Sequence, residues 1–315
     1  MLRVIVPRII HGVIVLLLVS VITFFLVNLA PGGPSAIVRM DMTAEQRAAL
    51  TKRMGLDQPV PVRYVLWLGQ AVQGDFGTSL ASDEAVSKRI AQRLPNTLVL
   101  AGLALGLSVL AGIPMGVIAA LRRNTWIDHT LSLISALGLS IPAFWFGIML
   151  ILVFSVSWQL LPSSGMETTG QPFSLGDRLV HLVMPTIVLA TTILPSIVRF
   201  MRSSLLDVLH QDYIRTAKGK GLGPFRVIFG HALRNAIAPV ISIIGTLVPR
   251  LVGGAVITEA VFGWPGMGRL AVEAANGRDY PLVMGITMVI AVVVVICTLL
   301  VDLAYTWIDP RVRLQ

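Results

Sequence analysis

Apolar residues gather along this chain in six long runs, at about residues 9–30, 97–121, 131–156, 181–201, 237–262 and 282–305. A helix rises about 1.5 Å per residue, so roughly 20 apolar residues cover the ~30 Å hydrocarbon core of a bilayer. The pattern predicts an all-α membrane protein with six transmembrane helices. The fourth run holds Pro185 and Pro195, which predicts a kink. The third and fifth hold Gly138, Pro142, Gly245, Pro249, Gly253 and Gly254, residues that suit close helix packing and bending.

The polar intervals are unequal. Residues 31–95 form the longest, and helix signals recur in it. Thr43-Ala44-Glu45-Gln46 is a capping-box pattern with Gly55 placed to close the helix. Residues 60–73 are amphipathic, with Val65, Trp67 and Leu68 suited to a membrane interface. Ser82 can cap a further helix, with Asp83 and Glu84 in its first turn and Lys88 and Arg89 later. The first run is longer than a signal-peptide core and Pro31 follows it directly, so it is expected to be an uncleaved span. The organisation expected is a first span over 1–30, an extracytoplasmic helical segment over 31–95, a five-helix core over 96–306 and a tail over 307–315.

One interval, residues 203–236, is both basic and patterned. It carries Arg215, Lys218, Lys220, Arg226 and Arg234 against Asp207 and Asp212. Leu205, Leu206, Val208, Leu209, Tyr213 and Ala217 recur at helical spacing, predicting one helix that Gly219, Gly221 and Gly223 end. Pro224 then opens a short second helix with Phe225, Ile228, Phe229 and Ala232 on one side. Two helices and a glycine turn between membrane spans make a knob suited to docking into a soluble partner.

Composition agrees with the membrane reading: 55% of residues are hydrophobic and 13% charged. The net charge of +9 would suit a nucleic-acid binder if it formed one soluble patch. It does not. With the amino terminus inside, the inner segments hold thirteen basic and four acidic residues, the outer ones eleven and ten. That is the positive-inside distribution, so both termini and the knob are expected to be cytoplasmic. Cys297, the single cysteine, lies in an apolar run and offers neither a disulfide nor a thiolate metal site.

Arg215-Thr216-Ala217-Lys218-Gly219-Lys220-Gly221, followed ten residues after Gly221 by His231-Ala232-Leu233-Arg234-Asn235, resembles the "EAA" loop of bacterial ABC importer permeases. The alanine matches at Ala217, the glycine at Gly221 and the leucine at Leu233. The motif's glutamate is Arg215 here, its later isoleucine is His231 and its proline is Arg234, so nothing rests on a glutamate side chain. The resemblance to the dipeptide/oligopeptide/nickel branch continues at Leu29-Ala30-Pro31-Gly32-Gly33-Pro34, Gly55-Leu56-Asp57-Gln58-Pro59, Gly74-Asp75-Phe76-Gly77 and Leu94-Pro95-Asn96-Thr97-Leu98, and in the tail Asp309-Pro310-Arg311-Val312-Arg313. It implies a type I ABC importer permease fold in a bacterial cytoplasmic (inner) membrane. The knob would be the loop that seats in the ATPase, with Tyr213, Arg215, Thr216, Ala217 and Gly221 as coupling residues, and with them Leu222, Gly223, Pro224, Phe225 and Leu233. The implied partners are a second homologous permease, two cytoplasmic ATP-binding subunits and an extracytoplasmic solute-binding protein. ATP and Mg would belong to the ATP-binding subunits and no cofactor to this chain. The implied cargo is short peptides, with nickel chelates, glutathione or another small solute as the alternative.

Candidate chemistry within the chain is sparse. Gly219-Lys220 is followed by Gly221 rather than Ser or Thr, so no phosphate-binding loop is present. The five histidines lie in separate segments without metal-ligand spacing, and no serine–histidine–acid grouping can be argued. Few charges fall within the spans: Arg250, Glu259 and Asp302. An arginine near mid-membrane costs ~2.5–3.5 kcal/mol on insertion scales, so it should face a partner helix or a wet cavity. Arg250, Gly253 and Gly254 are therefore the expected pathway residues, Arg250 with the means to meet a substrate carboxylate. Glu259 is expected near polar surroundings at the outer end of its span. An ion-coupled secondary transporter is the rival reading, and it would need more buried carboxylates or histidines than this.

Overall fold

A computed structural model of the chain describes residues 2–29, 45 and 58–308. The helix expected to open at Thr43 and close at Gly55, the motif over Pro31 to Pro34 and the tail from Asp309 lie outside the described residues, Glu45 apart. Among those residues all regular structure is helical apart from one isolated bridge, Thr78 to Ala85. In chain order the elements are α1 (Leu2–Leu29), α2 (Val60–Val72), α3 (Val86–Leu121), α4 (Trp126–Ser140) and α5 (Ala143–Leu150), which continues with wider π winding over Ile151–Ser157. Next come α6 (Leu175–Thr191), α7 (Leu194–Leu209) and α8 (Asp212–Gly219). A π-wound entry (Arg226–Ala232) leads into α9 (Leu233–Val261), followed by α10 (Met267–Asn276) and α11 (Tyr280–Ile308).

Four of these stretches are long and apolar enough to cross a membrane alone: Val6–Leu29, Val86–Leu121, Arg226–Val261 and Tyr280–Ala304. Two bent pairs bring the number to six if each pair is one span. The third run, expected over 131–156, is a bent helix pair rather than one straight helix, since α4 and α5 meet at 103°. Pro142 explains the break: Ile141 before it is extended (ψ 124°), the conformation that the proline ring imposes on its predecessor. The kink expected in the fourth run is present, with 50° between α6 and α7. It falls at Thr192 and Ile193, just ahead of Pro195 in the first turn of α7, while Pro185 sits inside α6. Thr192 and Ile193 bond back three residues, to Leu189 and Ala190, so the helix tightens before it turns.

The chain divides into two compact units. One consists mainly of Pro95–Arg269 with the last part of α11. Its core is aliphatic, built around Leu189, Ile193, Ile197, Met201 and Leu205 of α6 and α7, with Leu247, Leu251 and Ala255 of α9. The other consists of Val6–Leu94 with Leu270–Val295. There the amphipathic α2 lies on α1 through aromatic contacts, Phe24 to Tyr64 at 5.4 Å and Phe24 to Trp67 at 5.7 Å between ring centroids. The Ser20 and Tyr64 hydroxyls share a 2.8 Å hydrogen bond. Buried Asp279 accepts from the Ser79 hydroxyl and from the Leu282 N–H at 3.3 Å, which caps α11.

Candidate functional site

The knob is more finely divided than its apolar spacing predicts. Leu205 to Ala217 is two helices rather than one, a correction with a clear cause. Gln211 is extended (ψ 148°), and Asp212 starts α8 afresh. The break turns Ile214 and Ala217 into the core that Leu205 and Val227 share, and it leaves Tyr213 outside. After α8 the chain reverses at Gly221, whose φ of +78° is the left-handed conformation that a Cβ disfavours. The short second helix is also corrected: it is the π-wound start of the 36-residue stretch Arg226–Val261. Val227 and Ala232 face inward, whereas Phe225 and Phe229 project outward with ring centroids 4.6 Å apart.

Of the expected coupling residues, Tyr213, Arg215, Thr216, Gly221, Gly223, Pro224 and Phe225 lie on the open surface of the knob. Leu222 and Leu233 are half-buried against its core and Ala217 is within it. Asn235 Nδ2 donates to the Tyr213 hydroxyl at 2.9 Å, bracing α8 against α9. Ser204 Oγ donates to Ala236 O at 2.8 Å, joining α7 to the same helix. Arg202, immediately before the knob on α7, makes a two-pronged bond to buried Asp128 of α4, both contacts 2.7 Å. These anchors make the knob an extension of the helical core, joined to α7 and α9.

Within the membrane run of α9, Arg250 and Gly253 share an open face, while Gly254 is turned against α6. A Cβ on Gly254 would lie 3.1 Å from Leu189 Cδ1 and 3.3 Å from Thr192 Cγ2, so its role is close packing. Glu259 is fully buried, and polar donors surround its carboxylate there. The Thr97 hydroxyl donates to it at 2.6 Å, the Gly268 N–H at 2.7 Å and the Arg269 N–H at 3.1 Å. The carboxylate thereby caps the start of α10, where the helix dipole favours negative charge. The Met267 N–H donates to Thr97 Oγ1, the indole of buried Trp264 to Asn96 O, and Asn96 Nδ2 to Pro265 O. The loop closes so tightly that a Cβ on Gly268 would meet Val256 Cα at 2.4 Å. The acid of Glu259 followed by Gly266 and Gly268 was the only local sign of this clasp.

A helical membrane subunit with a packed, outward-facing knob between two spans is the class that these features define. Residues 112–314 match the family of binding-protein-dependent transport system inner membrane components, and residues 1–101 match that family's amino-terminal region. The chain belongs to this family. It is 43% identical over 312 residues to the oligopeptide transport system permease protein AppB of Bacillus subtilis, covering 98% of each chain. It is 39% identical over 318 residues to the dipeptide transport system permease protein DppB of Escherichia coli K12, covering 94% of each. Among solved structures, the MetNI methionine ABC transporter in inward-facing conformations matches with a TM-score of 0.58 at 18% identity, over 70% of this chain and 96% of that one. The fold is therefore that of a type I ABC importer permease, in a multi-pass membrane protein.

Proposed function

We propose that this chain is one permease subunit of an ATP-driven importer that carries short peptides delivered by an extracytoplasmic binding protein. The family and the peptide-permease relatives support the reading. A second homologous permease completes the membrane pathway, and two ATP-binding subunits, holding ATP and Mg, supply the hydrolysis. Both termini and the knob are cytoplasmic, on the strength of the charge distribution. Nucleotide-driven closure of the ATP-binding pair pushes on the knob, and the packing of Ile214 and Ala217 against α7 and α9 turns that push into movement of the spans.

The observation that carries the coupling role is Phe225, which is 71% exposed beside Phe229 on a knob whose other side is fully packed. An aromatic pair held open on a rigid base is the anchor that a protein pocket recognises. In complexes purified through this chain from cells expressing its neighbouring genes, Phe225→Glu should reduce recovered ATP-binding subunits at least about tenfold, a typical hot-spot loss. The exposed position leaves the fold intact, so membrane levels should match wild type. Undiminished recovery with wild-type ATP hydrolysis would overturn the coupling assignment.

A further inference from the structure

We infer that Arg250 reads the carboxylate terminus of the transported peptide, a substrate-class assignment that rests on the importer reading above. Arg250 is exposed in the middle of α9, and among the described residues it makes no hydrogen bond or ion pair. A guanidinium is always charged and presents donors in a planar fork matched to a carboxylate. In a membrane span it must meet water or an anion from outside this chain.

The rest of the face says which. Ser242, Thr246, Pro249, Arg250, Gly253 and Ala260 are all exposed and fall within one arc of the helix. Small and polar groups at these positions make a wall that tolerates water and a passing polar solute. Thr246 stands one turn from Arg250 and Ser242 two, about 6 and 12 Å along the axis. An extended peptide of two or three residues spans about 7–10 Å. With its carboxylate on Arg250, such a peptide lays its amide groups along Thr246 and points its amino end toward Ser242. The Thr246 hydroxyl already donates to Ile243 O at 2.8 Å, so it offers the peptide an acceptor.

The test uses the whole transporter in proteoliposomes with its binding protein, and compares uptake of labelled dialanine with that of its carboxamide. The binding protein is common to wild type and variants, so its own preference cancels in the comparison. Arg250→Gln should lower dialanine uptake at least about tenfold, one lost charge-assisted contact, with the carboxamide changed less than about twofold. Arg250→Lys should restore part of the difference, because it keeps the charge without the fork. Equal loss for both substrates, or a variant that no longer recovers the second permease, would overturn the proposal in favour of a structural ion pair between subunits. A wild-type complex that assembles yet moves neither peptide would overturn the importer reading itself.

Discussion

α1 and α9 both cross the membrane with one side uncovered by the rest of their own unit, yet the uncovered sides are chemically opposite. Along α1 one exposed stripe runs through Ile14, Leu18, Val21, Phe25 and Leu29. Along α9 the corresponding stripe includes Ser242, Thr246, Arg250 and Gly253, with Ile257 as its one large aliphatic. Lipid chains gain nothing from a hydroxyl or a guanidinium and solvate branched hydrocarbon well, so the α1 face is built for lipid. The α9 face would be a poor lipid surface, because the Arg250 guanidinium would have no partner in hydrocarbon. Exposure alone therefore does not distinguish the two faces; the chemistry of the exposed residues does.

The largest effect should come from breaking what fixes the azimuth of α9. Glu259 lies on the side of the helix opposite Arg250 and accepts three hydrogen bonds in full burial. Removing it orphans those donors, at about 1–3 kcal/mol each, or roughly 3–9 kcal/mol together. Glu259→Ala should abolish transport and sharply reduce the chain recovered folded in detergent, as read by thermal melting of the purified complex. A melting temperature within a degree of wild type would show that the clasp does not hold the helix.

A sharper probe leaves the fold alone and changes only the open faces. A Cβ on Gly253 meets nothing within 4 Å, so Gly253→Leu can be accommodated without repacking. On α9 the added isobutyl group should narrow a wet pathway and cut peptide uptake at least about tenfold at unchanged membrane level. The matched change on the lipid side, Leu18→Ala at a 55% exposed site, should alter uptake less than about twofold. If the two substitutions had equal effects on uptake, the contrast between the faces would carry no functional meaning.

Much of this was legible in the sequence, because runs of apolar residues and their flanking charges are local signals. The spans, the basic knob and the isolation of Arg250 all follow from counting along the chain. What failed depended on a single residue or on contacts far apart. Pro142 was visible, but whether it bends a span or breaks it by 103° depends on how α4 and α5 pack. The apolar spacing through 205–217 fits one helix as well as two, and the extended Gln211 decides the matter by exchanging Tyr213 for Ile214 on the inner side. Glu259 finds its hydroxyl donor 162 residues away, at Thr97, and no periodicity reports a contact of that range. In each case the element was legible and its orientation was not.

The smallest effect should come from Thr246→Val, and its size ranks the polar groups on the α9 face. Valine keeps the branched shape and removes only the hydroxyl, whose proton is already committed to Ile243 O. What a peptide loses is one neutral acceptor. A neutral hydrogen bond contributes about 0.5–1.5 kcal/mol, so uptake should fall by roughly two- to tenfold, with dialanine and its carboxamide affected alike. Equal treatment of the two substrates is the informative part, for Thr246 would touch backbone amides that both share, whereas Arg250 would touch the group by which they differ. A Thr246→Val complex that discriminated against the free acid would place the carboxylate one turn lower on α9 and remove Arg250 from the reading. One that discriminated not at all, with uptake modestly reduced, would fit a peptide lying along the helix with its charged end at Arg250.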